Sequence, residues 1–140
     1  MKTYQRFAKT LLQLLGPDMA VRIISDGFMP LSVEDIGQTP DGLRQVAISH
    51  YGEQNGDLMR DPEMVFAFQE IDGDPFAEPV SFQNDYMGIY QEVYSYNGEG
   101  KRTHVHPRLK NELRSFASMW FRNLKHQGFL DKDATREPLA

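Results

Sequence analysis

LRQVAISHYGEQNGDLMRDPEMVFAFQEI, residues 43–71, decides the fold. Its first and last nine residues are rich in branched and aromatic side chains, which suit the pleated, half-buried surface of a β-strand. Between them, HYGEQNGDLMRDPEM (residues 50–64) packs four acids and one arginine around an Asn-Gly and an Asp-Pro. Asn55-Gly56 supplies a chain reversal, and Asp61-Pro62 keeps the backbone extended into the second strand. Asp57 is suited to accept backbone amides, and Arg60 stands among carboxylates with which it can pair. Chemistry is the competing reading. Glu53, Asn55, Asp57, Asp61 and Glu63 could offer oxygens to calcium or magnesium, but the spacing lacks the glycine and closing glutamate of a twelve-residue calcium loop. A structural turn that presents a partner-binding surface is therefore preferred over a metal loop.

Working outward, AVRIISDGFMPLSVEDI (residues 20–36) reads as two short strands about Asp26-Gly27, with Pro30 marking an edge or a late start. GQTPDG (residues 37–42) is a loop and Asp72 to Pro79 a turn. VSFQNDYMGIYQEVYSY (residues 80–96) reads as a strand or bent pair, with Met87, Ile89 and Val93 on one face and Tyr86, Tyr90, Tyr94 and Tyr96 on the other. At the N-terminus, Tyr4, Phe7, Ala8, Leu11 and Leu15 form one stripe of a helix ended by Gly16-Pro17. A second helix is predicted from Pro107 to Gln127 with Gly128 as its cap. Its stripe of Leu109, Leu113, Phe116, Trp120 and Leu124 should face the sheet, flanked by Lys110, Arg114 and Lys125. From Asp131 onward the chain is polar and expected to fray. The expected fold is α+β: an N-terminal helix, an antiparallel meander of five to six strands, and a long C-terminal helix on one face, as a single domain over residues 1–130 with a tail at 131–140.

Composition narrows the function classes. The 140-residue chain suits one domain and contains no cysteine, which excludes disulfides, thiolate metal sites and a cysteine nucleophile. A reducing compartment is compatible, and the cytoplasm is the expected location. MKTYQRFAKTLLQLLG superficially resembles a secretory leader, but Gln5, Arg6, Lys9, Thr10 and Gln13 interrupt it and no small-residue cleavage site follows. No apolar run reaches the ~20 residues that a membrane helix needs, so a soluble protein is expected.

The net charge of −5 hides a division. From Asp26 to Glu99, fifteen carboxylates face two arginines, a balance of −13; from Lys101 to His126, seven Lys or Arg face the lone Glu112, giving +6. A basic helix laid across an acidic sheet neutralises part of this internally.

Few residues carry the marks of catalysis. His104-Val105-His106 would need His50 or His126 plus a supporting carboxylate to build a zinc site, and nothing local supplies them. Serine-nucleophile motifs are absent, and NGEG (residues 97–100) lacks the Lys-Ser/Thr of a phosphate loop. No catalytic set, metal or cofactor is predicted. The enzymatic alternative is a metal-dependent hydrolase built on Glu53, Asp57, Asp61 and His50. The tyrosines with Gln83, Asn84 and Gln91 suggest a contact platform, and the acidic surroundings favour a protein partner or self-association over nucleobases. Nucleic acid remains an alternative through Lys110, Arg114, Arg122 and Lys125. An acidic surface that imitates a nucleic-acid backbone is a further one.

HYGEQNGDLMRDPEMVF followed by EPVSFQNDYMGIYQEVY resembles a family of uncharacterised small proteins from bacterial plasmids, integrative elements and phages, domain of unknown function 6908. The resemblance spans roughly residues 20–125 and rests on Glu53, Gln54, Asn55, Gly56, Asp57, Met59, Asp61 and Pro62, then Phe82, Gln83, Asp85, Gly88, Tyr90 and Gln91. It implies a mobile-element context without a mechanism. Small acidic proteins of such elements often bind and blunt host defences, so an anti-restriction or anti-CRISPR role is expected by analogy. The expected function is a non-enzymatic interaction protein of a mobile genetic element. Its partner-binding residues would be Glu53, Gln54, Asn55, Asp57, Arg60, Asp61, Gln83, Asn84, Asp85, Tyr90 and Gln91.

Overall fold

The stripes read from the sequence become two helices over one sheet. The computed structural model describes residues 2–139. Helix α1 (Lys2–Leu15) buries Tyr4, Phe7, Ala8, Leu11, Leu14 and Leu15. It ends where Gly16 takes a left-handed φ of 62° and donates its amide to the Leu12 carbonyl at 2.9 Å. Six strands then follow in meander order: β1 (Ala20–Ile24), β2 (Leu31–Gln38), β3 (Arg44–Gln54), β4 (Asp57–Ile71), β5 (Asp74–Asn84) and β6 (Ile89–Glu92). A short ribbon of β7 (Tyr94–Tyr96) and β8 (Arg102–Val105) leads into helix α2 (Pro107–His126), and β9 (Thr135–Pro138) closes the described chain. The main sheet has seven antiparallel strands in the order β6-β5-β4-β3-β2-β1-β9, with β7-β8 separate.

The α+β class holds, with more strands than the expected five to six. One extra strand comes from the polar segment expected to fray. Residues 135–138 pair with β1 from Ile24↔Thr135 to Val21↔Pro138, and the Arg136 guanidinium donates to the Leu15 carbonyl at 3.0 Å. An edge strand outside the core needs no apolar face, and proline is tolerated there. Two hairpins are also longer and tighter than expected. At Asn55-Gly56 (φ 52° and 85°) and Asp72-Gly73 (φ 53° and 83°), two residues with positive φ turn the chain, so strand pairing runs up to each pair. The predicted 72–79 turn shrinks accordingly.

Both helices lie on one face. Phe66 of β4 sits 5.8 Å from Phe7 of α1 and 5.4 Å from Phe121 of α2, ring centre to ring centre, while Phe82 of β5 packs edge-on against Phe116 at 5.2 Å. Leu113, Ala117, Trp120, Phe121 and Leu124 are buried along α2, with Leu109 and Phe116 partly so, matching the stripe read from the sequence. Gly128, at φ 90°, follows the helix.

The four-tyrosine stripe does not form. A turn closed by the Gly88 amide on the Asp85 carbonyl and a bend at Val93 break the segment. Tyr86 and Tyr90 are therefore exposed, Tyr94 is buried and Tyr96 is half-buried.

His50 is buried within this core, its ring 5.7 Å from Trp120 and 5.6 Å from Phe129, with Nδ1 3.2 Å from the Pro30 carbonyl. Burial holds its imidazole below the ordinary value of 6.5, and the contact with the Pro30 carbonyl offsets part of that. The folded value is depressed, so the unfolded chain takes up the proton first. Stability from this residue is complete above 6.5 and falls as pH drops through that value toward the folded one. Urea unfolding should show lower stability at about pH 5.5 than at about pH 7.5, and His50→Gln should flatten that difference. An equal slope in the variant would contradict the assignment.

Candidate functional site

The two segments EQNGDLMRDPEM and FQND meet through a clasp. Between Ser49↔Glu63 and Tyr51↔Arg60 the register shifts, so Asp61 and Pro62 together face His50 as a bulge. Beyond this bulge the Arg60 amide donates to Asp85 Oδ2 at 2.8 Å, and the Asp85 amide donates back to the Arg60 carbonyl at 2.9 Å. The guanidinium Nη1 lies 3.5 Å from the same carboxylate, and Gln83 Nε2 donates to Asp85 Oδ1 at 3.1 Å. Asn84, nearly buried, donates to Asp61 Oδ1 at 3.1 Å and accepts the Met87 amide at 3.2 Å. Tyr86 then folds back over β3, where a side chain at Gly52 would collide with its hydroxyl.

This arrangement divides the predicted partner-binding residues. Arg60, Asp61, Gln83, Asn84 and Asp85 bind one another and hold the β5–β6 turn against the β3–β4 hairpin. Glu53, Gln54, Asn55 and Asp57 are exposed at the hairpin end, which is strand up to the two-residue turn and not the loop that was expected. Leu58 beside them is 72% exposed. Tyr90 and Gln91 lie on β6.

The oxygens proposed for a cation do not converge. Asp57 is exposed at the hairpin end, Asp61 is taken by Asn84, and Glu63 lies 3.7 Å from the Arg60 guanidinium. Among the described residues no group of three or more His, Asp or Glu is disposed to hold a metal ion. His104 and His106 are exposed, whereas His50 is enclosed by aromatic rings. The basic segment is partly absorbed. Lys110 lies 3.4 Å from Glu78, and Arg102 pairs with Asp41 at 2.9 Å while stacking 3.8 Å above the Tyr94 ring. Arg114, Arg122 and Lys125 stay exposed on α2.

A second site appears on the sheet face that neither helix covers. Ile48, Met64 and Phe82 face the helices, so their neighbours Ser49, Glu63 and Gln83 face away. Ser32, Ser49, Glu63, Gln83 and Tyr90 then lie in one row across five strands, and Glu34, Ala47, Val65, Ser81 and Glu92 in the next. A cavity of about 440 Å³ opens here, lined by Gln45, Glu63, Val65, Gln83, Tyr90, Glu92, Tyr94 and Tyr96 among others. Burial raises the Glu63 carboxyl above its ordinary value; Arg60 opposes this, while Glu34 and Asp85 add to it. Tyr90 donates to the Glu92 carboxylate, which together with burial pushes its hydroxyl up to about 12. The sequence reading placed Glu63 only in the acidic loop and missed Glu92 and Gln45 as its neighbours on this face. Their signal was the period-two alternation about Met64 and Phe82.

A family model described as Domain of unknown function (DUF6908) matches residues 2–130. The chain belongs to this family. The match extends beyond the expected span of roughly residues 20–125 and takes in both helices and strands β1 to β8, with the edge strand β9 beyond it. No curated protein and no solved structure matches the chain. No helix among the described residues is long and apolar enough to cross a membrane.

Replacing Asp85 by Ala removes the acceptor for the Arg60 amide, so Asp85→Ala should destabilise the domain by about 1–3 kcal/mol in urea unfolding, and Asp85→Asn by less. Unchanged stability in Asp85→Ala would show that the clasp contributes nothing.

Proposed function

We propose that this protein is a non-enzymatic interaction protein that binds a basic surface of another protein on its helix-free sheet face. The mobile-element context implied by the family resemblance makes that partner a host or element protein, with an anti-defence role as the expected purpose. The observation that carries this reading is the row set by strand register, in which Glu63 and Tyr90 stand beside Glu92 on a concave face free of helix cover. Carboxylates and tyrosine rings together suit guanidinium and ammonium groups, through ion pairing and through the negative faces of the rings. Tyrosine is also favoured at protein interfaces because it brings a large contact area with a polar tip.

The hydrolase alternative has less support, because Asp57, Asp61 and Glu63 are dispersed or already bonded. Nucleic-acid contact has one favourable observation, the exposed Arg114, Arg122 and Lys125 on α2. The strongly acidic sheet segment opposes phosphate binding nearby.

Affinity capture from a bacterial host lysate, run in parallel with wild type and a Glu63→Gln/Glu92→Gln double variant, tests the reading. Wild type should recover a specific protein that the variant loses and that high salt releases. Equal recovery by the variant would overturn the assignment to this face. DNA retention at about 50 mM salt that depends on Arg114, Arg122 and Lys125 would favour the nucleic-acid alternative instead.

A further inference from the structure

Among the described residues, strand β6 is one edge of the seven-stranded sheet and pairs only with β5. The Val93 amide donates to the Val80 carbonyl at 2.9 Å, which makes Val93 a bonded position. Antiparallel alternation then directs Ile89 and Gln91 toward β5 and turns the N–H and C=O groups of Tyr90 and Glu92 outward. Tyr90 is 59% exposed and Glu92 is also exposed. The opposite edge is blunted by Pro138 and by Arg136, which is anchored on the Leu15 carbonyl. No proline or lysine protects IYQE.

A cavity flanks this open edge on each side. On the helix-free side, the concavity of about 440 Å³ presents Glu63, Tyr90 and Glu92. On the other side, a cavity of about 560 Å³ lies between β6 and the first turn of α2, where Pro107 and Leu109 supply apolar surface beside Gln91, Glu92, Arg108 and Glu112. Gln91 pairs with Phe82, whose ring packs on Phe116, so it faces α2. A strand added to β6 would send alternate side chains into these two spaces.

We infer that β6 accepts an extended segment of a partner protein as an additional strand, with cationic side chains toward Glu63 and Glu92 and apolar ones toward Pro107 and Leu109. This rests on the partner-binding reading above and gives that partner its chemistry. Charge argues against a second copy of this chain as the occupant. Two β6 strands side by side would join the acidic rows of Glu34, Glu63 and Glu92 from two copies on one face, whereas a cationic segment would meet them with opposite charge.

Two synthetic octapeptides test the inference, one alternating Arg and Val and the other Glu and Val. Affinity is read by fluorescence anisotropy, and backbone amide exchange is followed by NMR. The Arg–Val peptide should bind at least about tenfold more tightly than the Glu–Val peptide and slow exchange at the Tyr90 and Glu92 amides. Tyr90→Pro, which removes one outward N–H, should weaken binding by about tenfold. Arg–Val binding that leaves both amides unprotected and is indifferent to Tyr90→Pro would overturn strand addition while leaving the acidic-face reading intact. Failure of both peptides to bind, beside a captured partner still lost in Glu63→Gln/Glu92→Gln, would do the same. Protection of Tyr90 and Glu92 in the protein alone at rising concentration would also overturn it, since the occupant would then be a second copy.

Discussion

The reciprocal bonding of Arg60 and Asp85 joins two parts of the chain that the sheet alone would leave loosely related. Each residue donates its amide to the other, one to a carboxylate and one to a carbonyl, at 2.8 and 2.9 Å. Charge-assisted bonds of this kind are about twice as strong as neutral ones, and an acceptor removed from such a pair leaves a donor unsatisfied. Gln83, Asn84 and Asp61 extend the clasp on either side. The clasp holds the turn that leads into β6, and so the positions of Tyr90 and Glu92.

That constraint accounts for the density of acids and amides between Glu53 and Asp85. Asp61, Asn84, Asp85 and Arg60 are bonded to one another, and the exposed remainder lies at the hairpin end. The carboxylates on the outward rows are Glu34, Glu63 and Glu92, of which Glu63 stands beside the Arg60 guanidinium and Glu92 accepts the Tyr90 hydroxyl. The division of charge along the sequence is thus resolved in part within the fold, through Lys110 with Glu78 and Arg102 with Asp41, and in part left on a surface.

Much of this was legible in the sequence. The two amphipathic stripes set α1 and α2 almost to the residue, and Asn55-Gly56 announced its turn because few other pairs adopt two positive φ angles. Pairing of Arg60 with carboxylates was also foreseeable from their proximity. What escaped was non-local. Asp85 as the main acceptor depends on a bulge that no periodicity reports, and Asp72-Gly73 was read as part of a broad turn. Strand β9 escaped because an edge strand held by backbone pairing and one arginine carries no apolar signal. The tyrosine stripe failed for a related reason: a constant period of two cannot foresee the Asp85–Gly88 turn or the bend at Val93.

Native-state hydrogen exchange, resolved by residue, tests most directly whether the acid-amide segment holds the fold together. The Arg60 and Asp85 amides should exchange only through large openings, with protection approaching that of the buried core strand around Phe66. Exchange at Arg60 and Asp85 as fast as at the exposed Gly98 turn would contradict a structural clasp.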